Sequence, residues 1–130
     1  MGTTALIVYK NTEGLCNCVS VNWDGYIENG VGETLYNNWQ DGNEVKKLCS
    51  MNKEVRSLES TMKGTEFYAD EPLSRKRAKK LKNLTIDEVK NKSGNYSYTY
   101  VWEEDNPGWK VLLDGSLEWE LEWVGEILNY

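Results

Sequence analysis

The chain has 130 residues and contains no histidine. Histidine is the usual general base of serine and cysteine hydrolases and a common ligand in zinc hydrolases. Its absence argues against these enzymes and against histidine-dependent phosphodiesterases. Carboxylates can still act as bases, and Asp24 or Glu33 would take that role in a nucleotide-processing enzyme. Such an enzyme is the third hypothesis for the function, because the sequence favours a protein without catalytic residues.

Cysteine is scarce, and the three thiols do not suit a disulfide. Cys16 and Cys18 lie two residues apart on a predicted strand, so they share a face and a bridge between them would be strained. Cys49 makes the number odd. We predict reduced, buried thiols. Because histidine is absent, a zinc site would need a carboxylate as its fourth ligand, and we predict neither a metal nor a cofactor.

Long apolar segments are also missing. No run of about eighteen apolar residues is present, so a membrane-spanning helix is not predicted. The N-terminus MGTTALIVYK lacks the basic start and the long hydrophobic region of a secretory signal. These absences predict a cytoplasmic protein that does not interact with membranes.

Length and periodicity predict one domain spanning residues 1–130, with strands at both ends of the chain. Alternating apolar residues and turn signals indicate an N-terminal β-hairpin and a C-terminal antiparallel meander. The hairpin strands are predicted at 4–10 and 15–23, and the meander strands at 96–103, 109–113 and 117–124, with a turn at Asp114-Gly115.

Three helices and a loop segment are predicted in the middle of the chain. One helix covers 33–39, a second begins after Asn43 as its cap, and a third covers 86–92 behind a capping box of Thr85 and Glu88. Loop is predicted from 53, with a short strand at 65–68. We therefore predict an α+β fold, with a mainly antiparallel sheet of about five strands and the helices packed on one face.

The stretch from Val21 to Leu35 joins a strand end, a glycine-punctuated loop and a helix start. Gly30 and Gly32 precede that helix, whose first N–H groups are suited to binding an anion. Trp23 and Tyr26 lie in the same loop and offer rings for stacking. The alternative is a tight structural connection, because the Gly-x-Gly completes neither a dinucleotide-binding motif nor a P-loop.

Several motifs resemble a group of small, mostly uncharacterised proteins of bacteriophages and prophages. They are WDGY, GVGETL and GNEVKKL in the first half, then TIDEVKNK, YSYTYVW and GWKVLL, and the resemblance spans roughly residues 4–113. It implies a phage protein acting in the cytoplasm of a bacterial host, and it transfers no catalytic residue. Many members carry histidine where this chain has Asn22, so any chemistry of that histidine is absent here.

Aromatic and basic residues suggest a nucleotide site as the first hypothesis. Tyr98, Tyr100 and Trp102 share one face of a strand, where they either stack bases or pack in the core. The basic run from Arg75 to Lys82 either neutralises phosphate or forms a solvated helix face. The protein would bind and sequester a nucleotide-derived immune signal of the host. Its ligand-binding residues would be Trp23, Tyr26, Gly30, Gly32, Arg75, Arg77, Lys79, Tyr98, Tyr100 and Trp102.

Glu118, Glu120 and Glu122 suggest the second hypothesis, in which the partner is a protein. They lie on one face of a predicted strand and repeat every ~6.8 Å, close to the phosphate spacing of a nucleic-acid strand. Such a row would let the protein mimic DNA and block a nucleic-acid-binding defence protein, as anti-CRISPR proteins do. A solvated outer face is the alternative, because the net charge of −6 is modest.

Two further expectations concern partners. The predicted helix pair around residues 33–50 has no basic recognition helix, so we do not predict sequence-specific DNA binding. The sequence leaves open whether copies of the chain form a homo-oligomer.

Overall fold

The computed structural model describes residues 3–51, 53–67, 81–112 and 120–128, and a mixed β-sheet lies at its centre. The strands are β1 (Ala5–Lys10), β2 (Cys16–Val21), β3 (Val55–Ser57), β4 (Glu66–Phe67), β5 (Tyr98–Glu103), β6 (Asn106–Leu112) and β7 (Leu121–Trp123). The helices are α1 (Val31–Asn38), α2 (Gly42–Ser50), α3 (Ile86–Ser93) and α4 (Val124–Ile127). The order across the sheet is β4-β3-β2-β1-β5-β6-β7.

Strand β1 occupies the middle of the sheet because its sequence suits burial on both faces. Residues 5–9 are consecutively apolar and all are buried. An uninterrupted apolar run of this kind is typical of a strand covered from above and below. β1 pairs antiparallel with β2 and parallel with β5, so Val8 lies between Cys18 and Val101.

The α+β class is confirmed, but the predicted sheet was too simple. It has seven strands among the described residues, and β1–β5 and β2–β3 are parallel while the other pairings are antiparallel. Strand β3 falls where a loop was expected, because three residues carry no detectable alternation. Part of the predicted last strand and its Asp114-Gly115 turn lie outside the described residues.

The helices cover both faces of the sheet, so the expectation of one covered face was wrong. On the first face α1, α2 and α4 bury side chains such as Ile7, Val21 and Trp109. On the second face Val89 of α3 belongs to a separate cluster with Leu6 and others. The two clusters lie on opposite sides because successive side chains of a strand point to opposite faces.

Helix caps set the local boundaries. The capping box of Thr85 and Glu88 is confirmed, with both hydrogen bonds formed at the start of α3. The cap of α2 is Asp41 rather than the expected Asn43, and the Asp41 carboxylate accepts a hydrogen bond from the Asn43 N–H at 2.9 Å. α1 begins two residues earlier than expected, at Val31.

A charged network links three strands on the second face. The Glu103 carboxylate lies between two ammonium groups. One oxygen is 3.2 Å from the Nζ of Lys10, and the other is 3.3 Å from the Nζ of Lys110. The Lys110 ammonium also donates to the carbonyl of Asn106 and lies 4.4 Å from the ring centroid of Trp123. Because Lys110 is buried, these partners replace the water that it would otherwise bind.

We expect Glu103→Gln to destabilise the fold, because it leaves two mostly buried ammonium groups without their counter-charge. The loss should be roughly 3 kcal/mol, the low end for a broken buried ion pair, and urea denaturation followed by circular dichroism measures it. Glu122→Gln is the matched control, since Glu122 is exposed on β7. Equal stability of the two variants would contradict a structural role for the network.

Candidate functional site

The candidate site is the aromatic loop, residues 22–30, which connects β2 to α1. Trp23 and Tyr26 are 43% and 50% exposed, and they belong to the small set of large hydrophobic residues on the described surface. Asp24 and Glu28, also exposed, place carboxylates in the same loop. The loop therefore presents two large rings and two negative charges to solvent.

Hydrogen bonds to Thr3, which precedes β1, and from Tyr100 of β5 fix the backbone of the aromatic loop. The Gly25 N–H donates to the carbonyl of Thr3 at 2.9 Å, and the Tyr100 hydroxyl donates to the carbonyl of Gly25 at 2.6 Å. Asp24 and Asn29 adopt left-handed backbone conformations, each with φ of 56°. Asp and Asn tolerate this region better than most residues. The exposed rings thus project from a fixed turn.

The same loop occupies the start of α1, so the expected anion site is not formed. The N–H groups of Val31, Gly32 and Glu33 donate to loop carbonyls at 2.7, 3.0 and 2.8 Å. A Cβ at Gly32 would lie 2.8 Å from the Cα of Ile27, and one at Gly30 would overlap the carbonyls of the loop. The two glycines therefore allow close backbone packing, which is the structural alternative that the sequence left open.

The aromatic strand packs in the core instead of forming a stacking surface. Tyr100 and Trp102 are buried, and Tyr98 is half-buried. The rings of Tyr98 and Tyr100 stack with centroids 6.2 Å apart, and Trp102 meets Trp109 edge-to-face at 5.4 Å. Burial raises the pKa of the Tyr100 hydroxyl, and the nearby Tyr98 raises it further. Tyr100 and Trp102 therefore offer no ring face to a ligand in this structure.

Of the remaining predicted site residues, the described ones lie apart from the aromatic loop. Arg75, Arg77, Lys79 and Glu118 lie outside the described residues. Glu120 and Glu122 are exposed at the β7 edge of the sheet, whereas the aromatic loop follows β2 on the other side of β1. Only Trp23 and Tyr26 of the described ligand candidates are exposed together in one segment.

The thiols are unsuited to nucleophilic chemistry. Cys16, Cys18 and Cys49 are buried and free, as predicted. Burial raises the pKa of Cys16 to about 11 and that of Cys18 to about 12. Burial also raises the pKa of Cys49 well above its usual value. A nucleophilic cysteine needs a lowered pKa and access to solvent, so none of the three has these properties.

Within the described segments, no group of three or more histidine, cysteine, aspartate or glutamate side chains is arranged to hold a metal ion. None of the helices in those segments combines the length and the apolar character that crossing a bilayer requires. Comparisons with protein-family models, with curated protein sequences and with solved structures find no match.

The sequence carries one signal for the aromatic loop, which is the single sign of the charges around it. From Asn11 to Val45 the chain contains no lysine or arginine. The same stretch carries six carboxylates, namely Glu13, Asp24, Glu28, Glu33, Asp41 and Glu44. The aromatic loop therefore lies within a segment of one charge sign.

We expect Tyr100→Phe to weaken the anchoring of the aromatic loop. The substitution keeps the buried ring but leaves the Gly25 carbonyl without its 2.6 Å donor, which should cost about 1–2 kcal/mol. Urea denaturation provides the measurement. Tyr26→Phe removes an exposed hydroxyl and should stay within about 0.5 kcal/mol of the natural protein. Equal effects of the two variants would mean that the Tyr100 hydrogen bond does not hold the loop.

The raised thiol pKa values predict both reactivity and pH dependence. The folded protein should react slowly with Ellman's reagent at pH 8, while guanidinium should release all three thiols. Because the native thiols hold their protons more tightly than unfolded ones, stability is retained below about pH 8.5 and falls as pH rises toward 11. A variant with Cys16→Ala, Cys18→Ala and Cys49→Ala should lose less stability between pH 8 and 10. Rapid labelling of the folded protein would contradict this prediction.

Proposed function

We propose that this is a non-catalytic, phage-encoded protein that binds a basic host protein through its aromatic loop and blocks it. The observation that carries the proposal is the joint exposure of Trp23 and Tyr26 on a fixed turn. Tryptophan and tyrosine are enriched among the few residues that supply most of the binding energy at protein interfaces. An isolated exposed ring is ordinary, but two rings in one anchored loop suit a docking contact.

The anchoring of the loop adds to this argument. Ordering a flexible segment on binding costs free energy, and a preorganised surface avoids much of that cost. Hydrogen bonds hold the turn in the absence of a partner. They join Gly25 to Tyr100 and Thr3, and they join the loop carbonyls to the first N–H groups of α1. The rings can therefore bind without a large loss of backbone freedom.

The charge of the surrounding segment indicates the chemistry of the partner. Exposed Asp24 and Glu28 flank the rings, and the segment around them lacks lysine and arginine. The net charge of −6 has the same sign. Acidic surfaces accelerate and orient association with basic ones. A nucleic-acid-binding protein exposes such a basic surface, and the resemblance to phage proteins suggests that it belongs to bacterial defence.

Nucleotide sequestration is the second candidate, and one observation supports it. Trp23 and Tyr26 can stack a base as well as contact a protein. The first N–H groups of α1, which were expected to bind phosphate, are already bonded within the chain, and Arg75, Arg77 and Lys79 lie outside the described residues. For this reason we place protein binding first. A carboxylate-based enzyme comes last, since Asp24 lies at the exposed tip of the turn.

We expect Trp23→Ala and Tyr26→Ala to impair partner binding without unfolding the protein. Affinity purification from the host, with mass spectrometry, identifies the partner, and calorimetry with the purified partner then gives the dissociation constant. Each substitution should weaken binding at least about tenfold, as expected for a residue of an interface hot spot. The affinity should also fall as salt concentration rises.

Trp123→Ala is the matched control, because Trp123 is 38% exposed on β7, away from the aromatic loop. Circular dichroism checks that each variant is folded. Equal loss of affinity in Trp123→Ala and Trp23→Ala would overturn the assignment of the interface. Native mass spectrometry that finds an unchanged nucleotide on the purified protein, lost in Trp23→Ala, would favour sequestration instead.

A further inference from the structure

A second surface feature lies away from the aromatic loop, where the α1–α2 turn approaches the segment 60–62. It is an open pocket of about 220 Å³, which we call the Trp39 pocket. The described residues that line it are Asn38, Trp39, Asp41, Glu44, Ser60, Thr61 and Met62. None of them is basic.

Hydrogen bonds hold both walls of the Trp39 pocket. The indole N–H of Trp39 donates to the carbonyl of Glu59 at 2.8 Å, and its own carbonyl accepts from the indole of Trp109 at 2.8 Å. On the other wall the Thr65 hydroxyl donates to the carbonyl of Thr61 at 2.8 Å. The pocket is therefore a built feature of the fold and not a gap between loose side chains.

The lining combines an apolar floor with an acidic rim. Trp39 is 2% exposed and Met62 is half-buried against the core. Asp41 uses one carboxylate oxygen to cap α2, and a carboxylate can accept about four hydrogen bonds. The Glu44 carboxylate lies 3.5 Å from the Nζ of Lys47. Because the Lys47 side chain is largely exposed, a cationic side chain of the partner can replace it beside Glu44.

We infer that the Trp39 pocket receives an arginine side chain of the partner protein. The aliphatic stem of arginine suits the apolar floor, and its planar guanidinium pairs with carboxylates through two parallel hydrogen bonds. The volume is below the roughly 300–1,000 Å³ of pockets for small molecules and suits one side chain. The two charged side chains of the lining, Asp41 and Glu44, are both acidic. This inference rests on the proposed function for the basic character of the partner.

The test uses N-acetyl-arginine methylamide as the probe and two-dimensional NMR of the 15N-labelled protein as the readout. Saturable shifts should appear at the side-chain amide of Asn38, at Ser60 and Thr61, and at the indole N–H of Trp39. The citrulline analogue has the same shape without charge and should bind about tenfold more weakly, the loss expected for a hydrogen bond to a charged group.

Asp41→Asn is the informative variant, since asparagine caps a helix as well as aspartate and only the charge is lost. It should weaken arginine binding about tenfold, and Ser60→Trp, which fills the pocket, should abolish it. Glu122→Gln makes the same change of charge on β7, away from the pocket, and should leave the affinity unchanged. Equal binding of the citrulline analogue, or equal loss in Asp41→Asn and Glu122→Gln, would overturn the inference.

The two proposals fail in distinguishable ways. If the arginine probe does not bind while Trp23→Ala still impairs partner binding, the pocket assignment is wrong and the proposed function stands. If the probe binds as expected but the partner is insensitive to Trp23→Ala, the aromatic loop is not the interface.

Discussion

Strand β1 has no face in contact with solvent, and much of the structure depends on this constraint. Its five consecutive apolar residues need cover on both sides, which α1 and α2 supply on one face and α3 on the other. Its two edges need backbone partners, and β2 and β5 provide them. β5, which follows the helices α1, α2 and α3 in the chain, lies along one of these edges and runs parallel to β1. This position brings Tyr100 beneath the aromatic loop.

That placement connects the core to the candidate site. Tyr100 packs in the first-face cluster and its hydroxyl donates a hydrogen bond to the loop backbone, so a buried residue fixes the backbone that carries the exposed rings. Trp39 acts in a comparable way, since it is buried, bonded to Trp109 and to Glu59, and forms the floor of a surface pocket. In both places a core aromatic residue with a polar atom shapes the surface above it. This use of tyrosine and tryptophan suits a chain with fourteen of them and one phenylalanine.

Local signals in the sequence predicted local structure well. The N-terminal hairpin, the capping box at Thr85 and the antiparallel β5–β6–β7 order were all predicted, because turns, caps and alternation act over a few residues. The glycines of the loop were recognised as unusual, but the sequence left open whether they serve a ligand or a tight structural connection. Whether the N–H groups at a helix start bind a ligand or the chain itself depends on where the preceding loop folds, and no local pattern contains that information.

By itself the sequence determined the α+β class, the burial of three free cysteines and the absence of any histidine side chain as a base or ligand. The tertiary structure decided which aromatic residues face solvent. Tyr98, Tyr100 and Trp102 alternate as an exposed strand face would, yet they pack beneath helices, whereas Trp23 and Tyr26 remain exposed. The physical reason is that alternation assigns side chains to the two faces of a strand but does not show which face other elements of the fold cover. That choice depends on how distant segments pack against one another.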